Sequence, residues 1–140
     1  MSATLSLSVQ RRIAAPPEAV FDAWLDPDGV GGWLFATPDG VMEKVELDAR
    51  VGGRFAIFER RGDELAEHHG EYLEIDRPRR LVFEFWTSFS EERTRISVEV
   101  AADGDGSRLT LTHDGVWADY EAQTRKGWTM ILENLGKALA

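Results

Sequence analysis

The chain has 140 residues, 43% of them hydrophobic and 29% charged, a balance that fits a single soluble globular domain spanning 1–140 and excludes disorder and membrane-spanning helices. A formal net charge of -9 repels nucleic-acid phosphates and anionic lipid, and the two local basic clusters, Arg60-Arg61 and Arg77 to Arg80, read as solvated turn charges. There is no cysteine, which removes disulfides, thiolate metal sites and cysteine nucleophiles.

Leu5, Leu7 and Val9 alternate with Ser6, Ser8 and Gln10, the period-two signature of a strand with one buried face, running to about Ile13. The same stretch lacks the apolar run of a signal peptide, so a cytoplasmic address is expected. Ala15-Pro16-Pro17-Glu18 opens a helix, since proline suits a first turn and an early glutamate favours the positive end of the dipole. Val20, Phe21, Trp24 and Leu25 continue it at helical spacing. The next segment, Asp26 to Leu34, carries Gly29, Gly31 and Gly32, so at most a short helix is expected there, with a hinge beside a pocket as its role.

From Val41 the pattern turns to β. Val41, Val45 and Leu47, then Phe55 and Ile57, then Gly70 to Ile75, then Leu81, Phe83 and Phe85 mark successive strands, followed by Ile96, Val98 and Val100, and by Leu109 and Leu111. Val51-Gly52-Gly53 and Asp103-Gly104-Asp105-Gly106 are hairpin turns of a meander. The segment from Ala118 to Leu139 places Trp128, Ile131, Leu132, Leu135 and Leu139 at spacings of three and four, a stripe that packs on a sheet. Consecutive strands closed by one long helix predict an α+β, helix-grip architecture. A curved antiparallel sheet of about seven strands wraps around the C-terminal helix, with one or two short helices after strand one.

In this order, the chain resembles the SRPBCC superfamily, also called START-like or Bet-v-1-like, and within it homologues of the C-terminal domain of the heat-shock-90 ATPase activator. The resemblance is carried by Ile13 to Trp24, by Val51-Gly52-Gly53-Arg54-Phe55, by Gly70 to Phe83, by Arg108 to His113 and by Gly127-Trp128. It implies a cavity that in different members holds lipids, polyketides, hormones or antibiotics and in a few supports cyclisation or dehydration. The full co-chaperone has an additional N-terminal chaperone-binding domain, for which 140 residues leave no room beside this fold.

Strand parity selects polar candidates for such a cavity. Glu43 shares a face with Val41 and Val45, Glu59 with Phe55 and Ile57, and His113 with Leu109 and Leu111. They either orient a ligand's polar end or sit at strand ends where the sheet meets water. For an enzyme of the cyclase or hydrolase type, His113 with Glu43, Glu59 or Glu71 would be the acid–base set. His68 and His69 are adjacent and face opposite ways, so they do not chelate one metal, and no metal site or cofactor is expected. Trp33, Phe35, Phe55, Ile57, Phe83, Phe85, Trp117, Tyr120, Trp128 and Ile131 are the apolar candidates, with Trp33, Phe35 and Trp117 at the mouth.

The expected function is binding of a small, mainly apolar molecule, with acid–base catalysis in the same cavity as the alternative. A chaperone-associated or stress-response role is a third reading. Nucleic acid and membrane are not expected partners, and monomer or homodimer both fit.

Overall fold

The computed structural model describes residues 3–88 and 90–139. Seven antiparallel strands form one sheet: β1 (Thr4–Ile13), β2 (Val41–Leu47), β3 (Arg54–Arg61), β4 (Glu64–Asp76), β5 (Arg80–Thr87), β6 (Ser90–Asp103) and β7 (Gly106–Trp117). β2 to β7 follow as a meander, and β1 lies beside β7. The chain must therefore cross the whole sheet between β1 and β2. Helix α1 (Pro17–Ala23) and a 3-10 turn at Val30–Gly32 make that crossing, α1 packing on β6 and β7 and the turn on β2. A 3-10 turn at Ala118–Tyr120 leads into helix α2 (Glu121–Ala138), which packs on β1 and β7.

Each element follows from its pattern. In β3 the side chains of Phe55, Ile57 and Glu59 are buried and their neighbours are not, and β4 alternates likewise at Ala66, His68, Gly70 and Tyr72. α1 begins with Pro17 in its first turn and Glu18 near its positive end. Val20, Phe21 and Trp24 face the sheet, where they meet Leu81, Phe83, Ile96, Val98, Leu109 and Leu111 in one core. On α2, Trp128, Ile131, Leu132 and Leu135 form the buried stripe.

The sheet curves where its ladders slip. Register shifts fall at Leu5/Ser6, Met42/Lys44, Tyr72/Glu74 and Phe85/Thr87, each adding local twist. One of these corrects the parity read for β2. With Glu43 unpaired in the bulge, the strand turns Met42, Val45 and Leu47 toward the core and leaves Val41 64% exposed. The convex face carries a ladder of rings and cations: Lys44 over Phe58, Phe58 against His69, His69 stacked on Trp86 and Arg93 over Trp86 at 4.0 Å.

Gly70 marks a close approach. It faces Phe55 across the β3–β4 ladder, and a Cβ at Gly70 would overlap the Phe55 ring, which is buried in the core. Gly70→Ala is expected to lower stability by about 1–3 kcal/mol, as forced overpacking does. Urea unfolding checks this, and an unchanged midpoint would mean that the Phe55 ring has room to move.

Candidate functional site

A cavity of about 800 Å³ lies between the first half of α2, the ends of β4 to β7 and the Phe35–Thr37 loop. α2 contributes Gln123, Thr124, Gly127, Trp128 and Ile131, and the sheet contributes His68, Phe85, Thr94, His113 and Val116. Trp117, Tyr120 and Met130 stand at the rim, Tyr120 being 58% exposed.

Phe35 reaches the cavity through an unusual backbone. Its φ is 60°, in the left-handed region, a conformation that for a non-glycine residue stores about 1–3 kcal/mol. Trp33 and Leu34 thus pack into the core while the next ring turns the other way. The Phe35 ring stacks on His68 with centroids 4.2 Å apart and planes 3° apart, and on Phe85 at 5.2 Å and 10°.

Glu59 and Arg61 on β3 hold this loop. Glu59 is 1% exposed, and its Oε2 accepts the Thr37 backbone N–H at 2.8 Å. Its Oε1 accepts the Thr37 hydroxyl at 2.9 Å and Arg61 Nε–H at 2.7 Å. Arg61 also donates from Nη2 to the Phe35 carbonyl at 3.1 Å. Burial pushes the Glu59 carboxyl up, but the hydrogen bonds from Arg61 and Thr37 outweigh it and hold the group below its ordinary value. Gly40 makes room, since a Cβ there would overlap the Glu59 carboxylate.

The protonation state of His113 follows from its partners. Trp128 Nε1–H is a donor only, and it lies 3.0 Å from His113 Nδ1, so that nitrogen carries a lone pair. The proton is then on Nε2, which donates to Thr94 Oγ1 at 2.7 Å, and the Thr94 hydroxyl passes its own proton to the Phe85 carbonyl at 3.3 Å. Burial lowers the His113 pKa to about 4, with Asp114 opposing the shift. His113 is therefore a neutral, fully engaged group at neutral pH.

Seven candidates from the sequence meet here: Phe35, Phe85, His113, Trp117, Tyr120, Trp128 and Ile131. The others lie elsewhere. Trp33 is 2% exposed with its ring edge-on to Trp24 at 4.8 Å, so it is core. Phe55, Ile57 and Phe83 line a separate void of about 10 Å³ beneath Trp24. Glu43 pairs with Arg60, and Glu71 meets Arg54 at 3.3 Å on the outer face, so neither carboxylate reaches His113.

Sequence reasoning passed over His68, Thr37, Arg61, Thr94, Gly115 and Gly127, all of which line the cavity. For His68 the signal was present, because Ala66 and Tyr72 share its parity and are buried. Its Nδ1–H donates to the Ile57 carbonyl at 3.1 Å, and burial lowers its pKa to about 4, the Ile57 bond opposing and the Arg61 charge assisting. Gly115 is the extra residue of the bulge opposite Leu5/Ser6, with φ 89°, and it turns Val116 inward where simple alternation would send it out. Among the described residues no group of three or more histidines and carboxylates is placed to hold a metal ion.

Residues 14–140 match the family described as Activator of Hsp90 ATPase homolog 1-like protein. The chain belongs to this family, a branch of the SRPBCC superfamily. An AHSA1-like protein from Aeromonas hydrophila is 27% identical with a TM-score of 0.81, the match covering 96% of this chain and 91% of that one. Protein CV1439 from Chromobacterium violaceum is 24% identical with a TM-score of 0.86, covering 96% of each chain. SA2116 from Staphylococcus aureus, described as a protein of unknown function, reaches 0.88 at 14% identity, covering 99% of this chain and 94% of that one. The latter two likenesses speak for the fold alone. No curated protein matches the chain in sequence. No helix among the described residues is long and apolar enough to cross a membrane.

The two buried histidines of this family member give a pH dependence with a definite sign. Both folded values, about 4, lie below the ordinary 6.5, so the unfolded chain takes up the extra protons in that window. Stability is full above pH 6.5 and falls as the pH drops toward 4, each histidine contributing up to about 3 kcal/mol. Urea midpoints measured from pH 7 to pH 4.5 are expected to fall, and His113→Asn is expected to show a shallower slope. An identical slope in that variant would mean that His113 protonates as freely in the folded chain as in the unfolded one.

Proposed function

We propose that the protein binds a small, mainly apolar molecule in the cavity under α2. The observation that supports it best is the cavity itself: about 800 Å³, with Phe35, Phe85, Trp117 and Trp128 among its walls, within the range of small-molecule sites. The family's fold is consistent with a ligand-binding domain.

The same geometry counts against the acid–base set of His113 with Glu43, Glu59 or Glu71. A general base needs a lone pair within reach of the substrate proton. The His113 lone pair is occupied by Trp128 and its proton by Thr94, while Glu59 is committed to Thr37 and Arg61. Glu43 and Glu71 face arginines outside the cavity. The family description also carries the reading of a chaperone-associated protein; stimulation of an Hsp90 ATPase by the purified protein is the measurement that separates it from ligand binding.

Gly127 offers a direct test. It lines the cavity from α2, and a Cβ built there meets nothing within 4 Å. Gly127→Trp is expected to obstruct the cavity, and replacement of a helical glycine by tryptophan favours the helix by about 0.5 kcal/mol. A hydrophobic dye at about 100 times its Kd is expected to raise the stability of the native protein by roughly 2.7 kcal/mol and to leave Gly127→Trp unshifted. If a panel of apolar probes shifts neither the melting temperature nor the tryptophan fluorescence of the native protein, the binding reading fails.

A further inference from the structure

One ring nitrogen in the cavity wall has no hydrogen-bond partner among the described residues. His68 lines the cavity at 6% exposure, and its Nδ1 proton goes to the Ile57 carbonyl, a pure acceptor. The imidazole is neutral, so Nε2 presents a bare lone pair, with no hydrogen-bond partner among the described residues. Phe35, stacked 4.2 Å away, fixes the plane of the ring and with it the direction of that lone pair.

Around it the other buried polar groups are engaged. His113 has donor and acceptor atoms both taken, and Glu59 accepts from Thr37 and Arg61. The cationic neighbour, Arg61, is matched in charge by Glu59 at 2.7 Å and tied to the Phe35 carbonyl. The polar wall therefore carries no uncompensated positive charge with which to draw in a carboxylate or phosphate, and the lone pair of His68 would repel one.

Resting on the binding reading above, we infer that the cavity selects a ligand with a neutral hydrogen-bond donor, a hydroxyl, which it places on His68 Nε2. A ligand that lacks the donor leaves a buried nitrogen unsatisfied once it displaces water from the cavity, and that penalty is the source of selectivity. An anionic analogue gains nothing in exchange.

Three probes of one size test this: 2-naphthol, which can donate, 2-methoxynaphthalene, which cannot, and 2-naphthoate, which is charged. Titrated by fluorescence against the native protein at pH 7, 2-naphthol is expected to bind about tenfold more tightly than 2-methoxynaphthalene. 2-Naphthoate is expected to bind no more tightly than the methoxy compound. In His68→Phe, which keeps a ring against Phe35 and removes the acceptor, the naphthol preference is expected to vanish while 2-methoxynaphthalene still binds. A wild-type measurement stands beside the variant in case that substitution disturbs β4: in two-bond 1H–15N spectra, the His68 Nε2 resonance is that of an unprotonated nitrogen and moves on saturation with 2-naphthol. Binding of all three probes with equal affinity, tightest binding of 2-naphthoate, or an Nε2 resonance that is protonated or unmoved would overturn the hydroxyl contact while leaving the cavity as a binding site. Failure of all three to bind would overturn both.

Discussion

The hydrogen bond from Trp128 Nε1 to His113 Nδ1 fixes how far α2 stands from the sheet, and much else follows from that distance. It joins the middle of the helix to β7 at the line where packing gives way to open space. Beyond it, Ile131, Leu132 and Leu135 lie against the core. Before it, Gln123, Thr124 and Gly127 present small or polar surface to the cavity. Had those positions been leucines, the apolar stripe would have continued and drawn the helix down onto the strands. The bond also commits the imidazole to one tautomer, whose remaining proton carries the connection on through Thr94 to the β5 backbone.

The opposite wall depends on a buried carboxylate and its half-buried cation. Glu59 and Arg61 are two residues apart on one face of β3, and together they take hold of the loop from Phe35 to Thr37 by side chain and backbone. Burial of a carboxylate is tolerable only with its acceptor sites filled, which is what the loop supplies in return. The strained Phe35 is thereby held with its ring stacked over both His68 and Phe85, so the aromatic wall and the ionic clamp form one unit. A function built on this wall inherits its rigidity, and the polar groups that look reactive in isolation are mostly spent on positioning.

Membership of the family and likeness to solved structures speak for the scaffold, and the cavity chemistry is read from this chain's side chains. Two histidines buried as neutral groups play different parts in it. His113 is closed on both sides by protein donors and acceptors, whereas His68 is closed on one side only. That difference of a single hydrogen bond separates a residue that supports the cavity from one that faces its contents.

By itself the sequence determined the element order, the antiparallel sheet and the long helix, because apolar spacing of two or of three and four is a local property of neighbouring residues. The apolar lining at Phe35, Phe85, Trp128 and Ile131 was readable on the same basis, through side chains too large to be left in water. Tertiary structure alone decided the rest. The bulge at Glu43 rotated that residue out to Arg60, and the one at Gly115 turned Val116 in; a slipped ladder reverses parity without any mark that alternation can show. Glu59 kept the parity read for it, yet its role came from Thr37 and Arg61, partners that only folding brings to one carboxylate. His68 and His69 look alike in the chain, and one stacks under Phe35 while the other stacks on Trp86 outside. Which imidazole has a free lone pair toward the cavity depends on a backbone carbonyl eleven residues away, Ile57, that the sheet places opposite it.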